Sequence, residues 1–253
     1  MAKASALVRA ADIFDKVIDL AEARSRNLPL YQHLQFVSLG LNCMARTLPT
    51  RWGLKPPKKL GELTGPFDIT LYTPQALERT IASDFAGYAN PENLRYNAEM
   101  NYCEDPTSEI AFVHENGEEF VVNEFAKLRS TYDARIERFR AMLDDQRPTF
   151  LVVSYPPIFG AYQELVDGLI ATLERVKTWR QAPTAMYCFR ILMPDQQPEV
   201  ADFNRDDFEW FNIEMPTAEY EWHIPEHYLT DAGMTFERTI ITGLTRMVHR
   251  LGY

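Results

Sequence analysis

Apolar residues recur at helical spacing in several segments of the chain. Near the N-terminus, Leu7, Ala11, Phe14, Ile18 and Ala21 fall on one face of a predicted amphipathic helix over residues 4–26. The other face mixes acidic and basic residues, which favours a packing stripe over a membrane anchor. The same spacing predicts further helices, over residues 73–85, 124–144, 165–176 and 235–250.

Uninterrupted apolar runs alternate with these helices. They are typical of strands buried on both faces, and they cover Phe36–Gly40, Thr149–Tyr155, Ala185–Leu192 and Phe208–Ile213. This alternation predicts a single α/β domain over residues 31–253, with a mainly parallel central sheet and helices on both faces. The N-terminal helix, residues 1–30, precedes that domain.

Turn-forming residues divide the rest of the chain. Residues 44–48 are predicted as a short helix that Pro49 ends, and residues 51–66 as a loop rich in Lys, Pro and Gly. Residues 86–109 carry several turn signals and are predicted to be irregular. Asn116-Gly117 predicts a hairpin between two short strands, Ile110–His114 and Glu119–Val122.

Charge and cysteine usage narrow the class of protein. Acidic residues outnumber basic ones 36 to 26, so the surface should repel phosphate backbones, and we expect no nucleic-acid partner. No apolar run approaches the ~20 residues that span a bilayer, so no membrane span is expected. The three cysteines have no CxxC spacing, which predicts reduced thiols, a cytoplasmic location and no structural metal. Nothing in the sequence indicates a cofactor.

Cys43 is the first candidate for chemistry. It follows a predicted strand and a glycine turn, in Ser38-Leu39-Gly40-Leu41-Asn42-Cys43, and it precedes a short helix. Ligands bind in open α/β sheets at such loops, and the positive end of a helix dipole favours a thiolate. Ser38, Gly40 and Asn42 would then frame a substrate or oxyanion site. Free cysteines are also common as buried apolar filler, which is the interpretation for Cys103 and Cys188.

A thiol nucleophile needs a base, and three histidines are candidates. His114 ends a predicted strand, whereas His223 and His227 lie just before the last helix, where SGNH-type hydrolases carry theirs, but without the Asp three residues earlier. Asp68, in Gly65-Pro66-Phe67-Asp68, or Glu221 would orient the base, and Phe67 would line the site. His223 to His227 also spell the inverted zincin pattern, but Pro225 interrupts the helix that pattern requires.

Several motifs together resemble a bacterial family. They are Ser38 to Cys43, Leu48, Gly53-Leu54, Gly65 to Asp68, Phe85, His114, Arg135-x-x-Arg138-Phe139 and the strand at Phe150 to Val153. The chain is similar over about residues 35–155 to an uncharacterised family described as papain-like cysteine peptidases. The resemblance implies a thiol enzyme with Cys43 as nucleophile and His114 as base, and it offers an α+β papain-like fold as the alternative to the α/β one.

The sequence therefore leads to two functional hypotheses. The first is a thiol-dependent hydrolase or acyl-transferase that acts on an ester, thioester or amide of a small-molecule or acyl substrate. The second is a non-catalytic protein that binds a ligand or glycan in surface-polysaccharide assembly, with Trp52, Phe67 and Tyr155 in its cleft. Docking through the N-terminal helix, including homo-oligomer formation, is a further prediction.

Overall fold

The computed structural model describes residues 2–160 and 162–253, with residues 2–11 described as backbone alone. Nine strands are β1 (Gln35–Gly40), β2 (Leu71–Tyr72), β3 (Arg95–Asn97), β4 (Tyr102–Asp105), β5 (Ile110–Phe112), β6 (Thr149–Tyr155), β7 (Thr184–Leu192), β8 (Phe203–Arg205) and β9 (Phe208–Glu214). Seven helices are α1 (Ala2–Tyr31), α2 (Met44–Arg51), α3 (Pro74–Ala82), α4 (Val122–Asp144), α5 (Gln163–Thr178), α6 (Pro225–Tyr228) and α7 (Asp231–Arg250). Over this part of the chain, no helix combines the length and apolar character needed to cross a membrane.

The central sheet has five strands in the order β1-β6-β7-β9-β8. The pairs β1–β6, β6–β7 and β7–β9 are parallel, and β8 is antiparallel to β9 at the edge. Every residue of β6 and β7 is buried, as unbroken apolar runs lead one to expect for strands covered on both faces. The predicted α/β domain with a mainly parallel sheet is confirmed.

Helices cover both faces of this sheet. Residues at alternate positions of a strand point to opposite faces. Leu39 and Val153 accordingly share a core with α3, α4 and α5, whereas Phe36 and Val152 share a second core with α1, α2 and α7. The loops that leave the carboxyl ends of β1, β6 and β7 therefore emerge together at one edge, between the two helical layers.

A second, antiparallel sheet was not predicted. Its order is β2-β5-β4-β3, and two of its strands lie in residues 86–109, which the turn signals marked as irregular. The predicted Asn116-Gly117 hairpin is also wrong, because the chain forms a 3-10 turn over Glu118–Phe120 and then enters α4. Glu118 and Glu119 are exposed and offer no apolar side chain for a strand face. The second sheet positions His114, because its strand β5 ends two residues before that histidine.

The N-terminal helix packs by a different face from the one predicted. Phe14, Ile18 and Ala21 are exposed, while Leu20 and Ala23 are buried in the core shared with α2 and α7. The backbone of α1 lies close to the turn after α2, since a Cβ on Gly53 would lie 2.5 Å from Cα of Arg24. This contact turns the face of α1 that carries Leu20 and Ala23 towards the core. The side chains of Leu7 and Ala11 lie outside the described residues. Oligomer formation through this helix stays a prediction.

The first helix after β1 is longer than predicted. It continues through Pro49 to Arg51 instead of ending at Leu48. Proline lacks the N–H that would bond one turn back, but its carbonyl still accepts hydrogen bonds from the backbone N–H groups of Leu54 and Lys55. The extra turn brings Arg51 and Trp52 to the carboxylate of Glu237 on α7. That buried contact joins the C-terminal end of α2 to α7.

Candidate active site

A sharp turn carries the chain from β1 into α2. Gly40 and Leu41 both adopt the left-handed conformation, with φ of 69° and 62°. A Cβ on Gly40 would lie 2.3 Å from Oη of Tyr72 and 2.5 Å from the carbonyl oxygen of Phe67, so only glycine fits there. Cys43 follows as the N-cap residue of α2. The predicted strand–turn–helix geometry therefore places its thiol at the carboxyl edge of the parallel sheet.

The thiol lies beside an imidazole from the other sheet. Sγ of Cys43 is 3.2 Å from Nε2 of His114, although the two residues are 71 positions apart in sequence. Cys43 is partly buried and His114 is exposed, so the pair lies at the surface. The distance allows the thiol to donate its proton to a neutral imidazole.

Burial keeps the isolated thiol neutral. It is the largest influence on Cys43, and the Asp68 carboxylate adds to it, so that the pKa rises to about 11 despite the opposing Arg46 guanidinium. The helix N-terminus therefore does not produce the lowered pKa expected from sequence. A neutral thiol gives His114 a definite task, because the proton has to leave Sγ as the sulfur attacks.

Asp68 is close to the thiol but does not contact the imidazole. Its Oδ2 accepts a 2.6 Å hydrogen bond from the Gly65 backbone N–H and lies 3.3 Å from Nε of Arg46. The carboxylate thus closes the Gly65–Asp68 turn and pairs with a residue one turn beyond Cys43. Its predicted role of orienting a histidine is not seen, and no hydrogen bond to Nδ1 of His114 is formed by any residue the structure describes.

The two C-terminal histidines make contacts of their own. Nε2 of the exposed His223 lies 3.3 Å from the Glu221 carboxylate, and Nδ1 of His227 accepts from the Glu221 backbone N–H at 2.9 Å. Neither bonds to Cys43, so of the three candidate bases the structure brings only His114 to the thiol. Helix α6 begins after His223, and the zincin pattern does not form one continuous helix. In the described part of the chain, no three His, Cys, Asp or Glu side chains are grouped to hold a metal ion.

The predicted oxyanion residues divide into two groups. Oγ of buried Ser38 accepts from the Gly40 N–H at 3.1 Å, so that N–H is already used inside the turn. The carbonyl oxygen of the Asn42 side chain caps the Met44 N–H at 2.9 Å, which leaves its amide N–H₂ unused by the described residues. The backbone N–H of Cys43 reaches its own thiol, so it is a donor available to an oxyanion next to Sγ.

The aromatic residues proposed for a ligand cleft are core residues. Trp52, Phe67 and Tyr155 are all buried, and Phe67 packs edge-on against Tyr72 and against the ring of Phe139. This overturns the prediction that Phe67 lines the site. The backbone carbonyl group of Phe67 instead packs closely against the turn at Gly40.

Sequence reasoning missed the support behind His114. The next residue, Glu115, is buried, and its carboxylate accepts hydrogen bonds from Tyr132 at 3.0 Å and from Arg135 at 2.6 Å. Both donors are on α4, so the network fixes the loop of His114 to that helix. Arg135 belongs to the Arg-x-x-Arg-Phe motif, which was the available signal for this contact.

Comparisons of the chain with protein-family models, with curated proteins and with solved structures found no match. A function therefore has to be inferred from the geometry of the thiol and imidazole pair.

Proposed function

We propose that the protein is a thiol-dependent hydrolase or acyl-transferase in which Cys43 is the nucleophile and His114 the base. The observation that supports this most directly is the 3.2 Å distance between Sγ and Nε2, which lie on the segments that follow β1 and β5 in two separate sheets. A structural cysteine has no need of an exposed imidazole, whereas a nucleophile with a raised pKa needs a base within hydrogen-bond distance.

The proposed reaction has two halves. As Sγ attacks the carbonyl carbon of an ester, thioester or amide, Nε2 of His114 accepts the thiol proton and the carbonyl electrons move to oxygen. The Cys43 N–H and the Asn42 amide stabilise that oxyanion. The intermediate collapses by breaking the bond to the leaving group, which takes the proton from His114. Water or an acceptor nucleophile then attacks the acyl-thioester carbon and gives its proton to Nε2 of His114. The C–S bond breaks, and His114 returns the proton to Sγ, which restores the thiol.

Acyl-enzyme formation provides the test. With 4-nitrophenyl acetate, wild-type protein should release nitrophenolate and gain one acetyl group at Cys43 by intact and peptide mass spectrometry. Cys43→Ala should form no adduct, and His114→Gln should slow acylation by about 10²–10⁴-fold. His33→Gln, also at an exposed histidine, is the matched control. Equal acylation of His114→Gln and wild type would refute His114 as the base.

A ligand-binding function is the second candidate. A groove of about 500 Å³ lies between the end of α1 and α4, near the amino end of β1. Its lining is mainly apolar and includes Leu28, Leu34, Leu54, Leu60, Leu63 and Met142. Such a lining favours an apolar ligand over a glycan. A pure binding protein has no reason to acylate Cys43, so the acylation assay separates the two functions.

The proposal also includes a cytoplasmic location. All three cysteines are unpaired, and Cys103 and Cys188 are buried. Free thiols persist in reducing compartments, which suits an enzyme that depends on one of them.

A further inference from the structure

Arg190, on β7, is a buried cation with two of its three guanidinium nitrogens unused. Its side chain is 0 % exposed, and Nη1 pairs with the carboxylate of Glu199. Nε and Nη2 have no hydrogen-bond partner among the residues that the structure describes. These two nitrogens form one edge of the planar guanidinium, and that edge is the fork that binds two oxygens of a carboxylate or phosphate side by side.

An open fork in the interior is energetically unfavourable. Burying charged N–H groups without acceptors forfeits their hydration and gains nothing in return. Arg180 is a buried arginine of this fold whose donors are used, since its guanidinium donates to Thr184 and to four backbone carbonyl groups. Arg190 therefore differs from a structural arginine of the same chain in the very groups that recognise an anion.

The surroundings of the fork add a second donor. Tyr155 and Asn212 are the register neighbours of Arg190 on the adjacent strands, and Trp210 lies two residues before Asn212 on the same face of the sheet. The Trp210 indole N–H is buried and also has no partner in the described part of the chain. Burial raises the pKa of Tyr155 to about 12, so it stays neutral, and it donates to the Gly160 carbonyl. Glu199 is the acidic residue paired with the guanidinium.

The fork also lies towards the same edge of the sheet as the loop that carries the thiol. Gly40 aligns with Val153 of β6, and Val153 aligns with Cys188 of β7, two residues before Arg190. Strands β1 and β7 are separated by β6 alone, which puts their axes about 10 Å apart. The carboxyl edge of a parallel sheet is where α/β proteins bind ligands.

We propose that Arg190 and Trp210 bind a carboxylate or phosphate group of the molecule whose acyl group reacts with Cys43. This inference rests on the proposed function for the identity of the substrate, but the anion site itself does not depend on the thiol. The substrate class that follows is an anionic acyl donor, in which the charged group is on the order of 10 Å from the reacting carbonyl.

The test measures anion binding in the full chain that carries Cys43→Ala, so that no thiol chemistry contributes. Inorganic phosphate and succinate are titrated separately by calorimetry at constant ionic strength, with chloride as the reference anion. Saturable binding of one or both is expected, and their relative affinities assign the phosphate or carboxylate. Arg190→Lys keeps the charge but loses the fork, and should weaken binding at least about tenfold.

A second variant keeps the test decisive if Arg190→Lys does not fold. Trp210→Phe removes the indole N–H and keeps an aromatic ring, and it should also weaken binding. Trp222→Phe is the matched control, because Trp222 packs against the core on the opposite face of the sheet and should not alter binding. No saturable binding beyond chloride, or binding that Trp210→Phe leaves intact, would overturn the site. If the wild-type protein is not acylated at Cys43 while the Cys43→Ala protein binds the anion, the proposed enzyme activity is overturned and the anion site is not.

Discussion

Substituting Gly40 by alanine tests the turn that positions Cys43. The added Cβ meets two kinds of cost. A left-handed φ of 69° costs a non-glycine residue about 1–2 kcal/mol. The new atom would also lie 2.5 Å from the Phe67 carbonyl oxygen, which is backbone and cannot rotate away, and such overpacking costs about 1–3 kcal/mol more. The expected loss of stability is therefore about 2–5 kcal/mol, or roughly 5–20 °C in Tm for a chain of this size.

Gly87 supplies the control for this experiment. Its φ is 79°, and a Cβ there would have no atom within 4 Å. Gly87→Ala should therefore show the conformational cost of about 1–2 kcal/mol without the steric one. Both variants are measured by urea unfolding and by thermal melts followed by circular dichroism. Equal losses in the two variants would refute the steric argument.

The contribution of Tyr72 can be separated from that of Phe67. Oη of Tyr72 donates to the Leu39 carbonyl, and a Cβ added to Gly40 would lie 2.3 Å from the same oxygen. Tyr72→Phe alone loses a hydrogen bond worth about 1 kcal/mol. Combined with Gly40→Ala it should cost less than the sum of the two single changes, because the hydroxyl no longer collides. Strict additivity would show that the ring had already moved aside.

Further predictions concern charge. The rate at which iodoacetamide labels Cys43 should still increase with pH above ~8.5, the pKa of a free thiol, because burial and Asp68 raise the pKa of Cys43 to about 11. Asp68→Asn should shift the labelling midpoint to lower pH and Arg46→Gln to higher pH, and shifts in the same direction would contradict this electrostatic account. Glu237→Ala should destabilise the protein by about 3–5 kcal/mol in urea, since it removes a fully buried carboxylate and leaves the largely buried guanidinium of Arg51 without its ion-pair partner. Glu119→Ala breaks an exposed ion pair and should cost far less, so equal losses would be inconsistent with a buried pair.

The central sheet could be predicted because burial on both faces leaves a local signature. The apolar run Thr149–Tyr155 became β6 with the predicted ends. Of the second sheet, only β5 falls within a predicted strand, Ile110–His114, and the other strands left no such signature. Its strands are two to four residues long, and β3 consists of Arg95, Tyr96 and Asn97, which are polar or amphipathic. These short strands form because they pair with other strands of the sheet, and the periodicity of a segment does not show which strand it will pair with.

The candidate site shows the same division. Cys43 could be located because a strand, a glycine and a helix adjoin in sequence. The pairing of Asp68 with Arg46, in place of a histidine, could not be foreseen, since it depends on how the Gly65–Asp68 turn folds against α2. The direction of the Cys43 pKa shift could not be foreseen either, because it follows from burial and from the nearby Asp68 carboxylate, which only the folded chain creates.

The thiol follows a strand of the central sheet and the imidazole follows a strand of the antiparallel sheet, and this has a consequence for how the chain folds. Contacts between residues far apart in sequence form late, because closing the intervening loop costs entropy before any contact offsets it. The 70 residues between Cys43 and His114 include β2 to β5, so the antiparallel sheet has to assemble and dock before the pair exists. In a refolding experiment, acylation of Cys43 should recover after the circular dichroism signal of the strands. The time course of Cys43 acylation would then report the rate of the last step of assembly.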